Sequence, residues 1–198
     1  MHVLENPYLW HLFRIIINMI FKNESSIKYF LDVLVWRREL NSSSTDILDL
    51  GCGIGNLSTL FHDKCRYTGI DYNPKYIEYA NKKFASENRK FILADAVAYS
   101  FSEKKKYDLV CMFDFLHHLD DDHCLQILES SGRLSNKNIV IIDPIDSPEN
   151  PIIIKLINRF DRGKHIRSNV RIKEIIQKAG LTILENPIGN IFLCTKDT

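Results

Sequence analysis

The chain has 198 residues, 45% apolar and 26% charged, which suits one folded domain with a sizeable core and excludes a disordered segment. Its 26 basic and 25 acidic residues nearly cancel, so no overall field recruits nucleic acid or an anionic membrane. Cys52, Cys65, Cys111, Cys124 and Cys194 are scattered without a C-x-x-C pair, which predicts reduced, mostly buried thiols and a cytoplasmic setting rather than a disulfide framework.

Residues 6–40 read as helical, in one or two pieces. Leu9, Phe13, Ile16, Ile17 and Ile20 recur at helical spacing, as do Ile27, Phe30, Leu31, Leu34 and Val35. Asn23 to Ser26 supplies a break and caps. The apolar run Leu12–Phe21 is interrupted by Arg14 and Asn18. It is too short to span a bilayer and lacks the cleavage site of a signal peptide. After a Ser-rich loop at Asn41–Thr45, the pattern changes to strand, turn and helix in alternation. Strands are predicted near 46–50, 66–70, 90–93, 107–112, 138–143, 181–185 and 190–195, and helices near 56–62, 74–85, 121–134 and 169–179. This alternation predicts an α/β fold, a doubly wound Rossmann-like sheet of seven strands, in one domain over 46–198 with a helical cap at 1–45. Only Asn186 to Gly189 separate the last two strands, too few for a crossover, so the last strand is predicted to run antiparallel.

The first strand runs Ile47-Leu48-Asp49-Leu50 into Gly51-Cys52-Gly53-Ile54-Gly55. Glycine permits positive φ and lets a ligand approach the main chain. A dinucleotide site wants G-x-G-x-x-G, but the third glycine is Asn56 in one frame and Ser58 in the other. The spacing therefore favours a nucleoside ligand without a pyrophosphate over a nicotinamide cofactor. Two further strands also end in acids. Asp71 follows Thr68-Gly69-Ile70, 22 residues after Asp49, and Asp95 follows Phe91-Ile92-Leu93-Ala94. A carboxylate at the second strand end can accept ribose hydroxyls, and Tyr72 beside it can pack on an adenine ring. Asp71 can instead cap the helix at Pro74, although Asn73 is the better cap candidate. Asp95 can accept the adenine amino group and the Ala96 amide can donate to the ring. Asp49, Asp71 and Asp95 are thus expected to converge on one crevice.

These segments resemble the class I S-adenosylmethionine-dependent methyltransferases over about residues 46–195. Asp49-Leu50-Gly51-Cys52-Gly53-Ile54-Gly55 is similar to that family's first motif, Gly69-Ile70-Asp71 to its second, Ala94-Asp95 to its third, and Tyr107–Leu119 to its fourth. Leu116-His117-His118-Leu119 resembles the small-molecule branch akin to the ubiquinone-biosynthesis methyltransferases. Asn6-Pro7-Tyr8, Asp161–Arg167 and Pro187–Asn190 are similar to a bacterial subgroup. The resemblance implies a seven-stranded sheet with its last strand antiparallel, and S-adenosylmethionine as cofactor. It implies that Gly51, Cys52, Gly53 and Gly55 face the methionine moiety and that Asp49 orients its amino group. Asp71 and Tyr72 would hold ribose and adenine, Asp95 and Ala96 the adenine edge, and the main chain at Met112 and Phe113 the methionine end. The usual Pro-Gly-Gly turn before the fifth strand is replaced by Ser135-Asn136-Lys137-Asn138, where asparagine can take the left-handed conformation.

Methyl transfer asks chiefly for alignment, with a base only where the acceptor must lose a proton. His117 and His118 are the candidate bases; alternatively one packs beneath the sheet and the other is solvated. His117, His118, His123 and Cys124 do not make a metal site, because adjacent residues rarely point at one centre. Ile152 to Phe160 reads as an amphipathic helix that, with the N-terminal helices, roofs the crevice. Tyr8, Arg162, His165 and Arg167 are candidate substrate contacts. The basic residues there can bind an acidic acceptor or the cofactor carboxylate, or form a solvated loop with internal ion pairs. Tyr8, like Trp10 and Phe13 at helical spacing with it, belongs more often to the core than to a ligand site. The expected activity is methylation of a small-molecule acceptor, with a non-catalytic cofactor-binding or scaffold protein as the alternative.

Overall fold

In the computed structural model the described residues are 45–148, 150, 152, 163–185 and 190–197. The predicted N-terminal helices, the helix over 152–160 but for its first residue, Tyr8 and Arg162 lie outside them. The chain runs β1 (Asp46–Leu50), β2 (Arg66–Asp71), α1 (Pro74–Phe84), β3 (Arg89–Leu93), α2 (Ala96–Ser102), β4 (Tyr107–Phe113), α3 (Asp121–Leu134), β5 (Ser135–Ile142), α4 (Asn169–Lys178), β6 (Leu181–Glu185) and β7 (Ile191–Lys196). The seven strands form one sheet in the order β3-β2-β1-β4-β5-β7-β6. β7 lies antiparallel between β5 and β6, as the short connection predicted, and β1 to β5 pair in parallel.

Parallel strands covered on both faces read as continuous apolar runs, and β1 shows why. Ile47 faces one layer with Tyr67, Leu109 and Val140, against Ile77 and Ala80 of α1. Leu48 and Leu50 face the other with Val110 and Ile141, against Ile127 and Leu128 of α3 and Ile175 and Ile176 of α4. Each fully buried aliphatic side chain contributes about 1.5–3 kcal/mol. Helix starts are set by side-chain caps. Asn73 accepts from the Lys75 amide with Pro74 at the first turn, Asp120 from His123, and Ser168 from Arg171.

The structure departs from the sequence expectation in three places. Residues 56–60 form a 3-10 turn and not an α-helix, because the Ser58 and Thr59 hydroxyls bond back to the carbonyls of Gly55 and Asn56. The unpredicted α2 is only seven residues long and leaves Phe101 exposed. The turn expected at residues 135–138 is part of β5, accommodated by a register shift opposite Tyr107 and Leu109. Among the described non-glycine residues only Asp114 has positive φ, so no asparagine there is left-handed. No described helix is long and apolar enough to cross a membrane.

Candidate cofactor crevice

Strand order decides where a ligand can sit. The chain moves outward from β1 through β2 to β3, then returns to place β4 on the other side of β1. At such a switch point the connections leave in opposite directions and open a crevice at the carboxyl ends of the strands. The ladder between β1 and β4 ends at Asp49 and Cys111. Met112 and Phe113 continue the ladder with β5 alone. Their side chains are buried, so only their main chain could meet a ligand at this end of the strand.

The glycine loop rises over this opening. The amides of Gly51 and Cys52 both donate to the Ile70 carbonyl, at 2.8 and 2.9 Å, fastening the loop to the end of β2. Gly51, Gly53 and Gly55 all have positive φ, yet they differ in what a side chain would meet. A Cβ on Gly51 would strike the Phe115 side chain, and one on Gly55 would lie 2.5 Å from the Phe91 ring and 2.9 Å from the Ala80 methyl. A Cβ on Gly53, at φ +55, would have nothing within 4 Å. The three glycines thus differ in surroundings: a side chain at Gly51 or Gly55 would collide with packed neighbours, whereas one at Gly53 would enter open space. Cys52 is buried, with its thiol against Gly69.

The acids also separate. Asp71 stands at the rim, with Oδ2 accepting the Gly53 amide at 2.9 Å and Oδ1 the Asn73 amide at 2.8 Å. Each carboxylate oxygen can still accept a ligand hydroxyl. The helix cap falls to Asn73, which leaves Asp71 to the loop and the crevice. Tyr72 beside it is 73% exposed and available to stack. Asp95 is exposed and caps α2 through the Ala98 amide, 2.8 Å from Oδ1, with buried Ala96 opening that helix. Asp49 does not reach the rim. It is wholly buried and accepts the Tyr67 hydroxyl, so the three acids differ in depth: Asp49 is sealed, Asp71 is buried against the glycine loop and Asp95 is exposed.

Histidines and basic residues are divided in the same way. His117 is 1% exposed. Its Nδ1 lies 2.9 Å from Asp143 Oδ1, and that oxygen also accepts the Phe115 amide at 3.0 Å. Gly163 packs so closely on the opposite edge of the imidazole that a Cβ would lie 2.8 Å from Nε2. Burial pushes the Asp143 carboxyl up from its ordinary value, and the His117 hydrogen bond partly offsets this. His118 is exposed and stacks on His117 with ring centroids 4.2 Å apart. It shares with Asp95 and His165 a groove of about 520 Å³ between α2 and α3.

Arg167 corrects a substrate candidate. Its guanidinium is buried and donates to Asp121 Oδ1 (2.8 Å) and to the carbonyls of Leu116 (3.0 Å), His165 (3.1 Å) and Leu119 (2.7 Å). It braces the segment before α4 against the connection from β4 to α3. Among the described residues no group of three or more His, Cys, Asp or Glu is arranged to hold a metal ion. Asp143 and Phe115 escaped the sequence reading, although Asp143 carries the same signature as Asp71, an acid ending an apolar strand.

Residues 47–138 match a family described as "Methyltransferase domain". Over 117 residues, 54% of this chain, it is 35% identical to a malonyl-[acyl-carrier protein] O-methyltransferase from Acetivibrio thermocellus. The chain spans 41% of the length of that relative. Its fold is similar to that of an S-adenosylmethionine-dependent methyltransferase from Clostridium acetobutylicum (TM-score 0.71, 13% identity, 96% of this chain and 99% of that one). It is also similar to the magnesium protoporphyrin IX methyltransferase from Synechocystis PCC 6803 with bound SAH (TM-score 0.66, 18% identity, 89% of this chain and 83% of that one).

Proposed function

From the premise that the chain carries a class I methyltransferase domain, we propose that it binds S-adenosylmethionine over the glycine loop and passes the methyl group to a small-molecule acceptor. The observation that carries this reading is Gly53, left-handed and open above, with its amide held by Asp71 at the switch point. A cradle without a side chain, backed by a carboxylate, fits a nucleoside whose ribose hydroxyls need an acceptor and whose methionine arm needs close approach to the main chain.

S-adenosylmethionine supplies, when bound, a methyl group on a sulfonium with a good leaving group. The residues of this chain then supply position. Asp71 accepts the ribose hydroxyls, Tyr72 lies along the adenine, and the second oxygen of Asp95 faces the adenine amino group. Phe115, wedged above Gly51, closes one wall against water. Alignment of this kind is the main source of acceleration in a displacement with a good leaving group. Where the acceptor must lose a proton, His118 takes it, since it is exposed on the groove side whereas His117 is sealed between Asp143 and Gly163. His165, exposed in the same groove, is the remaining described candidate for an acceptor contact.

Gly53→Ala tests the reading against a matched control. The substitution costs about 1–2 kcal/mol for a left-handed alanine and places a methyl in the space assigned to the cofactor. Gly180→Ala carries the same strain, at φ +70 and also with nothing within 4 Å, just beyond the end of α4. Titration calorimetry is expected to show S-adenosylmethionine binding weakened at least about tenfold by Gly53→Ala and unchanged by Gly180→Ala. Equal effects of the two would remove Gly53 from the site. Incubation of the wild type with methyl-labelled cofactor and small hydroxyl, amine and thiol compounds should release S-adenosylhomocysteine with at least one of them.

A further inference from the structure

Tyr67 lies in β2, next to the edge strand β3, and is 1% exposed, its ring flanked by those of Phe61 at 5.8 Å and Phe91 at 5.6 Å. Its hydroxyl donates to Asp49 Oδ2. Asp49 is on the face of β1 that carries Ile47, and two residues later the chain enters the glycine loop. The partner of Asp49 across the sheet is Gly69, whose missing Cβ gives room to the Cys52 thiol. The carboxylate is thus sealed directly below the loop that Asp71 holds from the rim.

A buried carboxylate is costly unless hydrogen bonds support its charge, and a hydroxyl donor to a charged acceptor is among the stronger supports. Tyr67 is a donor that keeps its proton: burial first, and the charge of Asp49 second, push its hydroxyl far above the ordinary phenol value. The thiols of Cys52 and Cys111 are pushed up too, by burial and then by Asp49, and they add no competing charge. In a poorly polarisable interior such a fixed charge is felt over several ångströms.

Resting on the cofactor site proposed above, we propose that Tyr67 is a positioning residue. By donating to Asp49 it maintains a negative charge beneath the glycine loop, which favours a cationic ligand in the crevice over a neutral one with the same nucleoside. Tyr67 touches neither cofactor nor acceptor and acts through Asp49 alone.

The test compares two probes, S-adenosylmethionine and the neutral thioether 5′-methylthioadenosine, titrated into the wild type, Tyr67→Phe and Asp49→Asn. Loss of the donor that supports the Asp49 charge predicts that Tyr67→Phe weakens S-adenosylmethionine about tenfold. Its affinity for methylthioadenosine should stay within about twofold of the wild type. Asp49→Asn keeps an oxygen for the Tyr67 hydroxyl and removes the charge, so it should lose the same selectivity to at least the same extent. Equal weakening of both probes in Tyr67→Phe would show a packing role only, and no weakening of either would likewise overturn the proposal. Failure of the wild type to bind either probe would instead refute the cofactor site itself, and the role of Tyr67 with it.

Discussion

Replacing Asp71 by alanine is expected to weaken S-adenosylmethionine binding by at least about 100-fold. The carboxylate has two duties. It accepts the Gly53 and Asn73 amides, at 2.9 and 2.8 Å, and it is the acceptor proposed for the ribose hydroxyls. Hydrogen bonds to a charged group contribute about 1.5–3 kcal/mol each, so losing the ribose contacts and the hold on the loop readily reaches that factor. Asp71→Asn separates the duties. An asparagine oxygen can satisfy one amide, but its NH2 group then confronts the other N–H. Binding should fall nearly as far as in the alanine variant, although the volume is retained. Titration calorimetry measures the loss, and circular dichroism on heating checks that the sheet still melts cooperatively. Wild-type affinity in Asp71→Ala would remove the carboxylate from the site.

The largest loss of stability is expected from Arg167→Ala. Its guanidinium donates to Asp121 and to three carbonyls on two segments that are distant in sequence. Asp121 is 44% exposed and keeps Arg171, so the cost falls on the carbonyls left without their donor, about 1–3 kcal/mol for each that stays buried, which for a domain of this size lowers Tm by roughly 10 °C. Arg167→Lys should recover little, because a single ammonium cannot reproduce a planar fork that serves acceptors in different directions. Arg171 provides the contrast: it pairs with Asp121 and Glu174 at the surface, so Arg171→Ala should leave Tm nearly unchanged. Arg171 first, and then Arg167, holds the Asp121 carboxyl below its ordinary value of 3.8. The contribution of this ion pair is therefore full above that pH and is lost as pH falls through the lower folded value. A Tm for Arg167→Ala matching that of Arg171→Ala would show that the brace carries no load.

Much of this architecture was legible in the sequence because the strands are buried on both faces. Runs such as Ile47–Leu50 and Ile139–Ile142 announce themselves by continuous apolarity, and the glycines and acids that follow them mark the carboxyl edge where a crevice must open. Helix starts were legible for a similar local reason, since Asn73-Pro74 carries its own cap and first turn. The short α2 was not, because seven residues with an exposed Phe101 present no helical stripe. Periodicity also could not distinguish the 3-10 turn at Asn56–Leu60 from an α-helix, since the difference lies in hydroxyls bonding backwards.

At the site, residue types were readable but their depth was not. Asp49, Asp71 and Asp95 look equivalent in the sequence, yet one is sealed under Tyr67, one clamps the loop and one caps a helix. Gly51, Gly53 and Gly55 look equivalent until the rings of Phe115 and Phe91 are placed above them. Arg167 reads as a free cation because its four acceptors come from residues two to fifty-one positions away. Chemistry is written locally, and burial is decided by partners distant along the chain.

A crystal structure with S-adenosylhomocysteine tests the central claim most directly. The ribose hydroxyls are expected within hydrogen-bond distance of Asp71, the homocysteine arm across the open face of Gly53, and the adenine beside Tyr72 and Asp95. Density for the nucleoside elsewhere on the protein, with the space above Gly53 filled by the chain itself, would contradict it.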